Sequence, residues 1–532
     1  MTKKQLAVIT VLTVAIILLG LLISRRLWFR ADLTRNRAYT ISRASRRLYT
    51  EIPDQVRITY YLSDKLKAIY PQPGEILDLL REYAAYSRGK IQVAVKDPVK
   101  TGLANAVERL GIQPNQINTM EEDQNSRITV YTGIAVEYMD AAEVLPVVFS
   151  LDTLEYDLTS RIRALVRGTK REIGVILGSA QRSWEEDYRS FNQFFTQSGY
   201  ALRIIPPGSE IPDTLPALFV LGGTEDLGGW ELYRIDRYIQ GGGKTLFLPE
   251  AVRVNLQGGG EPQVMTDKGL LAMLSGYGAS VQPALTLDKT ALPLSYQRPT
   301  EYGIAFVEQV KYPHWIAVLE TSGNKDNPLT VNFTGLDLFW ANPLELNPPE
   351  SVEAQTLFTT TKDAWLMTKD FTIDYRGPPY LFEREAQETR GVKILGAALR
   401  GKFPSYFSGT EKPVREGSAE ELPDMPAEPK ETRIIVIGSG EFASHSYEYT
   451  SSVRDLNFLL AAADWLSNDD DIVSIRNRQG LRQLDKITDE RKRAQAMAFA
   501  RSFNVILVPL AVIAAGISAA LKRRRRANIQ GR

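Results

Sequence analysis

Two uncharged apolar stretches, one near each end, constrain this chain more than any other feature. Residues 6–23 read LAVITVLTVAIILLGLLI, and residues 503–521 read FNVILVPLAVIAAGISAAL. At 18 and 19 residues, both fall in the roughly 17–25 that cross a bilayer as a helix. The first follows Lys3 and Lys4 and is followed by Arg25 and Arg26. Its core is longer than the about 7–15 apolar residues of a cleaved signal peptide, and no small-residue cleavage pattern follows. An uncleaved anchor over 1–24 is therefore expected. The second contains Pro509 and Gly516, which membrane helices tolerate. It runs into Lys522, Arg523, Arg524, Arg525 and Arg526. Consecutive cations at the end of an apolar helix mark a stop at the cytosolic lipid surface. These seven residues are the candidates for docking to lipid and to a membrane partner.

Two spans place both termini on one side of the membrane. The flanks of the first span point the other way, because Arg25, Arg26 and Arg30 outnumber Lys3 and Lys4. The C-terminal cluster is denser, and long domains translocate regardless of flanking charge. The expected arrangement has cytosolic termini, a basic tail over 522–532 and an extracytoplasmic body. Charge supports this partition. Residues 31–490 hold 49 Lys/Arg against 63 Asp/Glu, a net of −14, while the ends are purely basic. An acidic body lacks the basic face that nucleic acid requires. With no cysteine, disulfides, thiolate metal sites and a cysteine nucleophile are excluded. The two histidines, His314 and His445, leave no histidine-rich metal site.

The body reads as α/β. Ser42 is placed to cap a helix running toward Tyr49. Residues 56–62 (VRITYYL) and 91–95 read as strands around a helix over 74–86, with Ile76, Leu79, Leu80 and Tyr83 on one side. This suggests a thioredoxin-like domain over 25–168, without the cysteine pair that redox chemistry needs. A second domain opens near 169. Strands at 173–177, 201–205, 217–221 and 244–248 alternate with helices at 188–199 and 230–240, the signature of a doubly wound parallel sheet. The strand 433–437 and helix 453–466 return to it, so this domain spans 169–260 and 431–480. Between lies a β-rich insertion, 261–430, with strands at 355–360 and 364–368 and a Pro/Glu-rich tail of mobile composition. Residues 481–502 read as a juxtamembrane helix.

The chemical motifs are weak. Gly243-Lys244-Thr245 ends like a phosphate loop but lacks the first glycine, and it runs from helix to strand rather than strand to helix. Gly438-Ser439-Gly440-Glu441-Phe442-Ala443 matches G-x-G-x-x-A after a strand but has no second strand to present a ribose-binding acid; a tight turn is the simpler reading. Asn468 with Asp469, Asp470 and Asp471 lacks calcium-loop spacing. His445 stands beside two serines without a nucleophile turn, and His314 between Pro313 and Trp315 reads as packing. No cofactor, metal or catalytic set is expected.

In order along the chain, several of these residues resemble the gliding-motility-type (GldG-like) auxiliary proteins of ABC transporters. Asp32-Leu33-Thr34 and Arg37-x-Tyr39-Thr40-Ile41-Ser42 are similar to that family's signature after the first membrane helix. Residues 56–62 match its first strand. Residues 433–438, Phe442, Asn457-Phe458, Ala463-Asp464-Trp465-Leu466, and 471–476 resemble its closing strand, helix and following run. The resemblance implies a non-catalytic auxiliary subunit working with a separate ABC permease and ATPase. The middle domain also resembles class I glutamine-amidotransferase-like domains, through 217–223 and 243–248. At their nucleophile position this chain has Leu248-Pro249-Glu250-Ala251, with no Cys, Ser or Thr. Two other readings are a membrane-anchored hydrolase using His445 or carboxylates such as Glu250 at the sheet's C-terminal crevice, and a carbohydrate- or protein-binding envelope protein.

Overall fold

A computed structural model describes residues 41–467, apart from 122–123, 150, 152, 169–170, 180–181, 223–226, 255–261, 266–268, 300–304, 332, 375–378, 416–420, 445–447 and 451, together with Gln495 and Phe499. The two apolar stretches, Pro509, Gly516, the 522–526 cluster and His445 lie outside the described residues. Among the described residues, no helix is long and apolar enough to cross a membrane.

The N-terminal part starts with helix α1 (Arg43–Glu51), capped as expected by Ser42, whose Oγ accepts from Ser45 N at 3.0 Å. Strand β1 (Val56–Leu62), helix α2 (Gln72–Tyr86) and strand β2 (Ile91–Lys96) form a βαβ start, with β1 and β2 parallel. Strands β3 (Thr132–Tyr138) and β4 (Ala141–Leu145) complete a sheet of order β2-β1-β3-β4, with β3 antiparallel to β1. Helix α3 (Leu154–Arg167) follows and stops at Gly168, whose φ of 64° is the left-handed cap a glycine supplies. Ile76, Leu80 and Tyr83 of α2 and Leu158 and Ile162 of α3 bury one stripe each against Ile58, Tyr60, Ile134 and Val136.

The second part is a nine-stranded sheet. Strands β5 (Arg171–Leu177), β6 (Tyr200–Ile204), β7 (Ala217–Leu221), β8 (Thr245–Leu248) and β13 (Thr432–Ile437) are all parallel and lie in the order β6-β5-β7-β8-β13. Strands β9 (Ala279–Val281), β10 (Leu344–Leu346), β11 (Val352–Thr359) and β12 (Ile394–Gly401) extend it antiparallel beyond β13. Part of the stretch 261–430 belongs to this sheet, since β12 pairs directly with β13 along six residues, while Leu285–Leu287 pairs with Trp365–Met367, and Ala291–Pro299, Ala305–Val318 and Leu336–Phe339 form a three-stranded sheet of their own. The polar, broken pattern of 261–430 hid the shared sheet, because β12 reads as ILGAALRG, short side chains that carry little strand signal.

Alternation decides the two faces. Val175, Phe219, Leu221, Leu246 and Ile435 point to one core with Phe191 and Phe195 of helix α4 (Arg189–Gln197) and with helix α7 (Val453–Leu466). Ile176, Leu218, Val220, Phe247 and Val436 point to the other, against helix α5 (Gly229–Gln240) and helix α6 (Leu270–Tyr277). Burial on both faces is why these strands are near-continuous apolar runs. Part of the Pro/Glu-rich tail is anchored: Leu422 is buried against Trp230 and Tyr233 of α5, and Tyr233 Oη donates to Pro423 O at 3.0 Å.

The two parts meet at a buried carboxylate. Asp464 of α7 is 1% exposed and accepts from Tyr156 Oη of α3 at 2.7 Å, from Arg171 Nη1 of β5 at 3.0 Å, and from Tyr200 Oη of β6. Arg161 of α3 adds a second tie, donating to Gln197 O of α4 at 2.6 Å. One residue before Tyr156, Glu155 accepts from Ser42 N and Ser45 Oγ, both at 2.7 Å. Helix α3 thus holds the start of the described chain with one side chain and the end of α7 with the next.

Candidate functional site

In open parallel sheets, ligands bind outside the carboxyl ends of the strands, where the strand order reverses, here between β5 and β7. Both strands lead into glycines, Gly178 and Gly222. The space above them is filled. A Cβ on Gly222 would stand 2.9 Å from Tyr188 Oη, and the Tyr188 side chain is fully buried. Beside it lies an ionic cluster. Arg182 makes a two-point pair with Glu441, and Ser444 Oγ donates to Glu441 Oε2 at 2.6 Å. Arg253 Nε donates to Glu250 Oε1 at 2.9 Å. Burial pushes the Glu250 carboxyl up, against the pull of Arg182 and Arg253. Glu250 is thus a buried member of a charge-balanced set of two arginines and two glutamates, not an open carboxylate in a cleft.

The neighbouring loop is closed as tightly. The backbone carbonyl of Asn342 occupies the position a Gly438 Cβ would take, and Glu250 Oε2 lies 2.7 Å from that of Gly440. Asn342 N donates to Gly438 O at 2.5 Å, its Oδ1 accepts from Ala251 N at 2.9 Å, and its Nδ2 donates to Ala284 O at 2.8 Å. The glycines of the G-x-G-x-x-A run therefore serve close approach of protein to protein. Gly243 packs against the Tyr238 ring at the start of β8, the opposite end of the strand from this crevice. His314 is fully buried among Tyr312 and Phe382 and bonds Thr372 O through Nε2 at 2.9 Å. Burial lowers its pKa to about 4, so it is neutral packing. Among the described residues, no cluster of three or more His, Asp or Glu could hold a metal ion.

An open cleft of about 480 Å³ lies where the β13–α7 loop meets α7. Its polar lining is Asp337, Thr450, Ser452, Arg454 and Asn457, its apolar lining Leu292, Pro293 and Val453, and Tyr449 adds an aromatic wall. Asp337 sits on the strand Leu336–Phe339 and is buried. Arg454 Nη2 donates to Asp337 Oδ1 at 3.2 Å, and Arg454 Nε to Ser452 Oγ at 3.3 Å. Beneath, Asp455 Oδ1 accepts from Asp337 N at 3.0 Å. Burial, reinforced by the Asp337 charge, pushes the Asp455 carboxyl well above the usual carboxylate range. The Tyr449 ring is 57% exposed and rests on the Trp315 ring, with centroids 5.4 Å apart at 31°. The cleft lies within the roughly 300–1,000 Å³ of small-molecule sites. Among its lining residues, Val453, Arg454 and Asn457 lie on the helix expected over 453–466. Asp337, Tyr449 and Arg454 come from separate elements, and no local pattern joins them.

Comparison with known proteins assigns the chain. The profile of the family described as "ABC-type uncharacterized transport system" (ABC_transp_aux) matches residues 170–471, more than half of the chain. The chain belongs to that family. Residues 35–137 match a second family, a domain of unknown function (DUF7088). An uncharacterized protein of Borreliella burgdorferi is 25% identical over 511 residues, covering 94% of each chain. Among solved structures, the mmIFT52 N-terminal domain is similar at a TM-score of 0.32 and 12% identity, covering 55% of this chain and 96% of that one. The exo-β-1,4-mannosidase Op5Man5 from an Opitutaceae bacterium (strain TAV5) is similar at 0.24 and 10% identity, covering 74% and 50%. Membership in the family makes an accessory role in an ABC-type transport system the frame for reading the site. The family match covers the sheet domain with its antiparallel extension, the crevice cluster and the cleft.

Proposed function

We propose that this protein is a non-catalytic auxiliary subunit of an ABC-type transport complex, anchored by spans at 6–23 and 503–521, with its body outside the cytoplasmic membrane. The family match over 170–471 supports the accessory transport role. The sequence has no Walker motif, so ATP hydrolysis belongs to a partner ATPase and the translocation path to a partner permease. The GldG-like subtype and the amidotransferase-like ancestry of the middle domain are part of this proposal. The second span with Pro509 and Gly516, and the cluster Lys522, Arg523, Arg524, Arg525 and Arg526, would dock to the permease and to anionic lipid. In this reading the body presents a rigid surface: α3 ties the N-terminal part to the sheet domain through Asp464 and Arg161.

The absence of native cysteine gives a clean test of the topology. Single cysteines are placed at Tyr86, an exposed residue of the body, and at Asn528 in the tail. A membrane-impermeant maleimide should label position 86 in cells with a permeabilised outer envelope and position 528 only after lysis. Labelling of 528 first would overturn the orientation. The partner claim is tested by replacing Lys522 and Arg523–Arg526 with glutamine. Less permease should then co-purify with the full-length chain, whereas unchanged recovery would remove the tail from the docking surface.

A further inference from the structure

We propose that the cleft at the head of α7 binds a neutral saccharide, with Tyr449 as the stacking surface and Asn457, Thr450, Ser452 and Arg454 as hydroxyl partners. The argument starts from charge. Arg454 lies across Asp337 and also reaches Ser452 Oγ and Thr334 O, at 3.4 Å for the latter. The guanidinium already faces a carboxylate, so the cleft offers no surplus cation for a phosphate or carboxylate ligand. Asp337 is likewise covered by Arg454 and is buried, which leaves no open carboxylate for a metal or an amine. A ligand suited to this lining is polar and uncharged.

The lining then narrows the class. The lining holds a planar guanidinium, an amide and two hydroxyls, groups that together offer both donors and acceptors to an uncharged polar ligand. The same cleft is lined by the exposed Tyr449 ring, backed by Trp315, and by Leu292, Pro293 and Val453. A sugar ring has this same mixed character: equatorial hydroxyls at the edge, and C–H groups on a face that lies flat on an aromatic ring. The volume of about 480 Å³ has room for roughly one or two such rings. The platform is rigid, because Trp315 is buried and wedged edge-on against Phe339 at 5.1 Å, so Tyr449 is presented rather than collapsed. Asp455 beneath the floor is held toward its neutral form, in keeping with an uncharged site.

This assignment belongs to the body's own cleft and stands apart from transporter docking, so a chain that recovered no permease could still bind the sugar. The test uses full-length protein in a detergent with no sugar headgroup. Maltose, cellobiose and N,N′-diacetylchitobiose are titrated by calorimetry and by saturation-transfer NMR, beside glucose 6-phosphate and a neutral pentapeptide. At least one of the three disaccharides should bind saturably. Tyr449→Ala, at an exposed position that keeps the fold, should weaken that binding about tenfold or more, and Asn457→Ala several-fold. Val414→Ala, at an exposed position outside the cleft lining, should leave it unchanged. The proposal is overturned if none of the three binds, if binding survives both cleft substitutions, or if glucose 6-phosphate or the peptide binds in preference.

Discussion

Asp464 joins the two parts of the body, and its removal should loosen both sides of that joint together. Its carboxylate is buried and serves three donors from two parts of the chain: Tyr156 on α3, and Arg171 and Tyr200 on β5 and β6. Asp464→Ala removes the partner of a partly buried arginine and the acceptor of two buried hydroxyls. Breaking a buried ion pair from one side costs about 3–5 kcal/mol, because the remaining charge keeps its desolvation penalty. The hydroxyl losses fall within that range rather than adding to it, since the groups act as one network. Asp464→Asn keeps the shape and one acceptor oxygen but turns an NH₂ toward a donor, for a cost of about 2 kcal/mol. The assay is thermal unfolding of the full-length protein in detergent, with hydrogen exchange read on the peptides covering Leu154–Arg167 and Val453–Leu466. For Ala, the midpoint should drop by roughly 3–6 °C. Protection should fall in α3 and α7 together, because the same carboxylate holds both. A cost below about 1 kcal/mol for Ala, or exposure of one helix alone, would refute the reasoning that this residue joins the two parts.

Three further outcomes follow from the same geometry. Below pH 6.5 the unfolded chain protonates His314, whereas the folded chain resists until about pH 4, so stability present above 6.5 is lost as pH falls. The loss is about 2 kcal/mol at pH 5 and about 3 at pH 4, and His314→Gln should flatten it in pH-dependent unfolding. Asp455 carries the opposite sign. Its raised carboxyl favours the folded state below the usual carboxylate pKa, an advantage lost as pH rises, so Asp455→Asn should raise the unfolding midpoint at pH 7 and leave it unchanged at pH 3. Gly440→Ala drives a methyl against Glu250 Oε2 at 2.7 Å and should cost about 1–3 kcal/mol, whereas Gly74→Ala, with open space around it, should be nearly neutral; denaturant midpoints separate the two.

Much of the frame was legible in the sequence because its signals are local. Residues 56–62 and 217–221, read as strands, are Val56–Leu62 and Ala217–Leu221, and the helix read at 453–466 is Val453–Leu466. Each is an apolar run or a 3.6-residue stripe bounded by turn residues, which needs no tertiary context to read. Strand β12 was not legible, because ILGAALRG gains its strand character from pairing with β11 and β13. The crevice showed the same limit. Glu250 was visible as an acid after a strand, but its burial beside Arg182 depends on loops far apart in the chain. Asp464 could have been noticed as a charge within the apolar run LLAAADWL, a position that a helix reserves for a buried partner. The cleft left no such trace: Asp337 alternates within LDLF like any solvent-facing strand residue, and only the packing of α7 turns it inward.

The most direct measurement for the account as a whole is the composition of the complex in its own membrane. Tagged full-length protein is taken from native membranes in mild detergent, and the co-purifying chains are identified and counted by mass. The account predicts a polytopic permease and a nucleotide-binding ATPase recovered in fixed stoichiometry with this chain. Recovery of the chain alone, or with envelope polymers and no ATPase, would contradict it.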